Sequence, residues 1–306
     1  MPRRLTVGAF TPSVLLSVAR RTGRLDDAGL DVEELPVASS PGQFRALLSG
    51  DLDVAFTSPD NVLVYRFGPT NPLGMLADVR IVSTVDRGMG LGLYARPGVD
   101  SVEQLRGATL GVDVPVSGFA VAMYALTAAR GVRRSDYAVV ELGSTPRRLE
   151  ALLAGECDAT MLNAGNELVA ERGGAGLLAA VSDVCSPYVG TVVCVEGERR
   201  LDDARRLAEA LRFTATDIGA GRVDDVVEGE ARARLGLTAE LAGRYLDRMK
   251  SSTEGVIADD AVDLAGLRTI VGLRRQHLPG SRDGADPLTH ALDPTSGLVD
   301  AGAAAH

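Results

Sequence analysis

The chain has 306 residues, 45% of them hydrophobic and 24% charged, which is enough for one large or two smaller globular units. Its net charge of −9 argues against a nucleic-acid partner or an anionic membrane surface, since both require a basic face. No stretch reaches the roughly 18 apolar residues of a membrane span, so we expect no membrane insertion.

The first third of the chain alternates short β-branched runs with amphipathic segments, a pattern typical of βαβ units and parallel sheets. Strands are predicted at 5–9, 30–37, 53–57 and 80–85, and helices at 12–22, 41–48 and 59–67. Residues 1–21 also resemble a secretory signal, with Arg3 and Arg4 before an apolar run. Because cleavage there would delete the first strand, we expect the segment to be structural and the chain as encoded to be cytoplasmic.

The middle of the chain repeats the same order of elements. Strands are predicted at 109–113, 137–142 and 159–162, and helices at 118–129, 146–153 and 164–172. Residues 37–65 align with 142–170 at an offset of 105, with ten of 29 positions identical. A period of this length exceeds the roughly 20–50 residues of a solenoid repeat and has the size of a whole lobe.

Two further strand-like segments, 85–107 and 188–197, are predicted to cross between the lobes and to contain the hinge. Helices are then predicted at 200–218, 224–235, 239–249 and 263–277, and this C-terminal annex is expected to pack on lobe one. The predicted division is lobe one at 1–88 plus 192–300, lobe two at 89–191, and a disordered tail at 301–306. The fold class is α/β, with two pseudo-repeated lobes joined by two crossover strands.

These residues carry a resemblance to a known family. The cues are "SVEQLRGATLGVD" at 101–113, the phrase "ALL.G..D" at 46–53 and 151–158, and the closing "DPTSGLVD" at 293–300. Over about residues 4–300 the chain resembles type II periplasmic solute-binding proteins, in particular the nitrate/sulfonate/taurine-binding and thiamine-pyrimidine-synthase-like group. The resemblance implies a small molecule held in the cleft between the lobes, with an ABC permease as a candidate partner.

In open α/β sheets, ligands bind outside the carboxyl ends of the strands. Four loops are selected in this way, and each opens a helix N-terminus, where free N–H groups and the helix dipole favour an anion. Capping of the helix is the alternative role for their polar residues. With aromatic and crossover residues added, the candidate ligand-binding residues are Phe10, Thr11, Pro12, Ser58, Asp60, Arg87, Ser117, Gly118, Phe119, Asn163 and Tyr188.

The charged candidates divide between two functions. Arg87 is the basic residue expected near the four loops, and it suits a carboxylate, sulfonate or phosphate, although a solvated surface position is the alternative. Asp60 and Asp86 suit instead a cationic or polyhydroxy ligand, or acid–base chemistry. Since Asp86 and Arg87 are adjacent on an extended segment, only one of them can face the cleft.

The favoured function is a non-catalytic solute-binding protein for a small organic anion, with no metal or cofactor. The three histidines all lie at 277 or beyond, which argues against a histidine base or a metal cluster in the cleft. The alternative is a cytoplasmic enzyme on the same scaffold, such as a decarboxylase, dehydratase or cyclase, with Asp60 or Asp86 as candidate acid or base. A ligand sensor acting through a partner is a third hypothesis.

Overall fold

Ten β-strands form two five-stranded sheets in the computed structural model, which describes residues 2–259, 262–278, 288–300 and 302. The first sheet has the order β2 (Leu30–Pro36), β1 (Arg3–Ala9), β3 (Val54–Thr57), β10 (Thr191–Glu196) and β4 (Val79–Asp86). The second has the order β7 (Ala138–Glu141), β6 (Thr109–Val112), β8 (Ala159–Leu162), β5 (Gly92–Ala95) and β9 (Gly176–Ala180). Lobe one and lobe two denote below the halves built on the first and second sheets.

Each sheet combines a parallel core with antiparallel strands. β1 pairs in parallel with β2 and β3, and β6 pairs in parallel with β7 and β8. β10 pairs antiparallel with β3 and β4, and β5 pairs antiparallel with β8 and β9. The chain leaves lobe one after β4, enters the second sheet as β5 and returns as β10, which confirms the predicted pair of crossings. Strand β9 was not predicted.

Twelve α-helices are present in the described ranges. They are α1 (Val14–Arg21), α2 (Arg24–Asp27), α3 (Ser40–Ser49), α4 (Pro59–Phe67), α5 (Gly118–Ala129), α6 (Thr145–Leu153), α7 (Asn166–Arg172), α8 (Val181–Val184), α9 (Leu201–Gly219), α10 (Asp224–Leu235), α11 (Ala239–Lys250) and α12 (Leu264–His277). The aligned repeats become α3–β3–α4 in lobe one and α6–β8–α7 in lobe two, so the predicted α/β class and repeated lobes are confirmed. None of these helices is long and apolar enough to cross a membrane.

The annex departs from the prediction at its last helix. α9 packs on β4, β10 and α1, and α10 packs on α1 and α11, all in or beside lobe one. α12, however, packs on α5 of lobe two as well as on α4 of lobe one. The expectation that the whole annex packs on lobe one is therefore wrong for α12. Its buried residues Leu267, Ile270 and Val271 belong to the same hydrophobic cluster as the α5 core. The predicted tail at 301–306 lies outside the described residues except for residue 302.

Candidate functional site

A cavity lies between the two lobes at the ends of β1, β3, β6 and β8. It encloses about 990 Å³ of space between atoms, the open mouth included. Lobe one, lobe two and the annex all contribute to its wall. The side chains in this wall include Phe10, Thr11, Phe56, Ser58, Asp86, Met89, Asp113, Ser117, Phe119, Ser144, Thr145, Arg148, Asn163, Tyr245 and Met249.

Most of the candidate residues from the sequence line this cavity. They are Phe10, Thr11, Pro12, Ser58, Ser117, Gly118, Phe119 and Asn163, together with the acid–base candidate Asp86. Two polar contacts join the parts of the chain that meet here. Asn163 donates from Nδ2 to the carbonyl of Gly88 at 3.1 Å, and Asn166 donates to Oγ1 of Thr11 at 3.3 Å.

The structure places three candidates outside the cavity wall. Asp60 is buried beneath α12, where its carboxylate pairs with Arg274. Arg87 points to Asp263, with 3.8 Å between Nη2 and Oδ2, while its neighbour Asp86 faces the cavity. Tyr188 is buried with its backbone against Gly266 of α12. Side chains alternate along this extended segment as expected. Asp86 faces the cavity, and of the two alternatives for Arg87 the structure has the one in which it does not line the cavity.

The cavity wall contains an arginine that the sequence analysis did not select. Arg148 lies on α6 and is only 2% exposed. Its guanidinium donates to the carbonyls of Gly143 (2.5 Å) and Met161 (3.2 Å) and to Oγ1 of Thr145 (3.0 Å). It also lies over the ring of Phe119, 5.9 Å from the centroid. Nε of Arg148 is buried without a hydrogen-bond partner, and no carboxylate in the described part of the chain forms an ion pair with this side chain.

The sequence repeat shows which residue of lobe one corresponds to Arg148 of α6. Arg148 aligns with Gln43 of lobe one at the offset of 105. Gln43 donates from Nε2 to the carbonyls of Gly8 and Phe56, both at 3.0 Å, and Phe56 aligns with Met161. The same hydrogen bond to the end of the third strand is therefore made by a neutral amide in one lobe and by a guanidinium in the other. Burial lowers the pKa of Arg148 to about 10, which leaves it protonated at neutral pH.

Helix N-termini surround the same space. The cavity wall includes Ser13, Ser58, Ser117 and Ser144, which precede the first residues of α1, α4, α5 and α6. The hydroxyls of the first three accept hydrogen bonds from backbone N–H groups of their own helices, so the expected capping role is present. The positive ends of four helix dipoles therefore lie along the cavity, beside the charge of Arg148.

Two acidic side chains also reach the cavity wall. Asp86 is 7% exposed, and its Oδ1 accepts from the backbone N–H of Gly88 at 2.8 Å. Burial raises the pKa of Asp86. Asp113 accepts from Oγ of Ser40 at 3.2 Å, and its Oδ1 is buried without a partner. Burial raises the pKa of Asp113 as well, whereas the positive charge of Arg148 lowers it.

No group of three or more metal-ligating side chains that could hold a metal ion occurs among the described residues. Asp60, one of the two candidate acid–base residues, is engaged by Arg274 away from the cavity. The other, Asp86, lines the cavity beside the amide and hydroxyl groups described above. Of the two acid–base candidates, Asp86 therefore faces the cavity and Asp60 does not.

Solved structures with the same fold include solute-binding proteins. The alkanesulfonate-binding protein SsuA from Xanthomonas axonopodis pv. citri, bound to MOPS, is 16% identical over 90% of this chain and 92% of its own, with a TM-score of 0.71. The periplasmic nitrate-binding protein NrtA from Synechocystis PCC 6803 is 13% identical over 92% and 84% of the two chains, with a TM-score of 0.73. At these identities the likeness establishes the fold. No curated protein matches the sequence.

The family assignment comes from the sequence itself. Residues 22–221, more than half of the chain, match the model of a family described as "ABC transporter, phosphonate, periplasmic substrate-binding protein". The predicted solute-binding function is confirmed, and the expected cytoplasmic location is wrong, since the family is periplasmic. The prediction that residues 5–9 form a strand is nevertheless correct, because they lie within β1. This chain belongs to the phosphonate-type family of periplasmic substrate-binding proteins of ABC transporters.

Proposed function

We propose that this protein binds a small organic anion in the cavity between its lobes and presents it to an ABC permease. The acidic group of the ligand is placed against Arg148 and the N-termini of α5 and α6. The observation that carries the proposal is the buried guanidinium of Arg148 in the cavity wall, whose Nε has no hydrogen-bond partner and which forms no ion pair in the described residues. A buried charge of this kind is costly unless counter-charges lie beside it, and the carboxylate of Asp113 acts on this guanidinium without forming an ion pair with it.

The magnitudes are consistent with useful affinity. A hydrogen bond to a charged group contributes about 1.5–3 kcal/mol, and each helix N-terminus about 0.3–1 kcal/mol. Micromolar binding requires about 8 kcal/mol, so apolar contacts must supply the remainder. Phe10, Phe56, Phe119 and Met89 line the cavity and can enclose the organic part of a ligand. This wall favours an organic anion over a bare inorganic one.

The repeat supplies the variant that tests the proposal. Arg148→Gln places the residue of lobe one in lobe two, so it removes the charge while keeping a donor for the carbonyl of Met161. We expect it to weaken the binding of anions about 10-fold or more, since each 1.4 kcal/mol corresponds to a factor of ten. Calorimetric titration of methylphosphonate, methanesulfonate, longer alkyl homologues, acetate and nitrate would measure the effect.

The matched control is Arg87→Gln, which makes the same chemical change at an arginine that faces Asp263 instead of the cavity. Its affinities should equal those of the unmodified protein. The proposal fails if no anion in the series binds the unmodified protein, or if Arg148→Gln binds the same anions equally well.

A further inference from the structure

The side chain of Arg274, in the annex, contacts both lobes at the edge of the cavity. Arg274, near the end of α12, donates from Nη1 to Oδ1 and Oδ2 of Asp60 at 3.0 and 2.8 Å. The same nitrogen donates to the carbonyl of Val116 at 3.0 Å. Asp60 is in the first turn of α4 in lobe one, and Val116 immediately precedes the Ser117 cap of α5 in lobe two.

The two helices that meet here begin in near contact. A Cβ atom placed on Gly118, the first residue of α5, would lie 2.6 Å from Cβ of Asp60 and 2.9 Å from Oγ of Ser58. Glycine is therefore required at position 118 for this approach, because any side chain would force the helices apart. Ser58, Ser117 and Gly118 all line the cavity, so this contact also fixes part of the cavity wall.

The charge of Asp60 has a consequence for an anionic ligand. Its carboxylate is 1% exposed and lies against the same two helix N-termini that face the cavity. Without compensation it would occupy the positive ends of these dipoles and repel an anion bound beside them. The guanidinium of Arg274, 14% exposed, is the cation that forms an ion pair with it.

We propose that Arg274 is a positioning residue for the ligand site. It ties the N-termini of α4 and α5 together across the two lobes, and it cancels the charge of Asp60 so that both termini remain available to an anion. The charge part of this inference rests on the proposed function, whereas the tie between lobes does not. Arg274 is not part of the cavity wall, but through it α12 affects the positions and charges of the residues that are.

Three variants separate these effects. In Arg274→Gln the buried carboxylate of Asp60 loses its ion pair, and burial raises its pKa, so we expect methylphosphonate and methanesulfonate to bind about 10-fold more weakly at a pH high enough to keep Asp60 ionised. Asp60→Asn should bind both at least as tightly as the unmodified protein. The double variant should recover to within about 3-fold of the unmodified protein, because the repelling charge is gone. Arg268→Gln, an exposed charge change on the same helix, is the control and should leave both affinities unchanged.

The effect of Arg274 on the distance between the lobes can be measured without any ligand. Spin labels on cysteines introduced at the exposed positions Glu209 of α9 and Ala129 of α5 would report the distance between the lobes. The native cysteines do not interfere, since Cys157, Cys185 and Cys194 are free and at most 3% exposed. We expect a broader and longer distance distribution in Arg274→Gln than in Arg268→Gln.

An unchanged distribution in Arg274→Gln overturns the proposed tie. Affinity that is lost in Arg274→Gln and not recovered in the double variant overturns the charge role, because a purely structural role for α12 would give that result. If the unmodified protein binds none of the anions, the proposed function fails, and the distance measurement still tests the tie.

Discussion

At the scale of the residue, the arginine in the cavity wall is Arg148 and not Arg87, the candidate from the sequence. Arg87 was selected because it follows a strand near the expected cleft, whereas Arg148 lies in the middle of a helix, where an arginine is usually solvated. The signal for Arg148 was present in the repeat. Thr145, Ala151 and Leu152 lie three or four residues from Arg148 and form one buried face of α6 with it. The aligned residue in lobe one, Gln43, is also polar. A polar residue on the buried face of both repeated helices indicates a fixed hydrogen bond to the sheet.

The cavity also contains a residue whose removal should improve binding. Asp113 lies in the wall with Arg148, and its unpartnered carboxylate oxygen opposes an anionic ligand. Asp113→Asn keeps an oxygen to accept from Ser40 and removes the charge. We expect methanesulfonate and methylphosphonate to bind several-fold more tightly, about 1 kcal/mol for a partly screened pair of charges. Calorimetric titration checks this, and weaker binding would instead indicate a ligand with a cationic group.

At the scale of the element, the long helices and the parallel strands were predictable from periodicity and caps. The helices predicted at 41–48, 59–67 and 118–129 became α3, α4 and α5 with ends shifted by no more than one residue. Strand β9 was missed because its sequence, Gly176–Ala180, is short and lies at a sheet edge with little alternation. Which surface a helix packs against was also not predictable, as α12 illustrates, since its pattern specifies a buried face and not a partner.

α7 and α11 are joined by a buried ion pair that predicts a pH dependence. Nε of Arg248 lies 3.1 Å from Oε1 of Glu167, which is fully buried. Burial raises the pKa of Glu167 to about 7, opposed by Arg248. The folded protein therefore binds this proton more tightly than the unfolded chain, whose carboxyl has the ordinary pKa of 4.5. The contribution of Glu167 to the free energy of unfolding must therefore fall as the pH rises from about 4.5 to 7.

Urea unfolding at several pH values between 5 and 8 tests this sign. Relative to Glu167→Gln, the unmodified protein should lose up to a few kcal/mol across the window, at about 1.4 kcal/mol per pKa unit. Glu171→Gln is the control, since Glu171 pairs with Arg244 on the same two helices but remains 24% exposed. A difference that is constant with pH would contradict the raised pKa of Glu167.

At the scale of the whole molecule, the two lobes are not independent bodies joined by a flexible linker. The chain crosses between the sheets twice, and residues 254–257 run beside the first crossing, with hydrogen bonds from Met89 to Glu254 and from Arg87 to Gly255. α11 forms ion pairs with α7 of lobe two, and α12 packs on both lobes. The repeat in the sequence indicated two lobes, but it carried no information about the annex, which has no counterpart in the repeat.

This degree of connection predicts cooperative unfolding. We expect a single calorimetric transition, with a van't Hoff enthalpy close to the calorimetric one, because neither lobe can unfold without removing α11 or α12 from the other. Two resolved transitions in the unmodified protein would show that the annex contacts contribute little. A second transition that appears only in Arg274→Gln would locate the coupling in α12.

Lobe two has Arg148 at the position where lobe one has Gln43, and this difference bears on which lobe binds the anion first. Among the proposed contacts to the acidic group, Arg148 and the N-termini of α5 and α6 belong to lobe two, whereas lobe one contributes the N-terminus of α4 and the ring of Phe10. When the lobes separate, the anion keeps its charged contacts on lobe two and loses the enclosing ones. We therefore expect a solute to bind lobe two first and lobe one to close over it afterwards, with release in the reverse order.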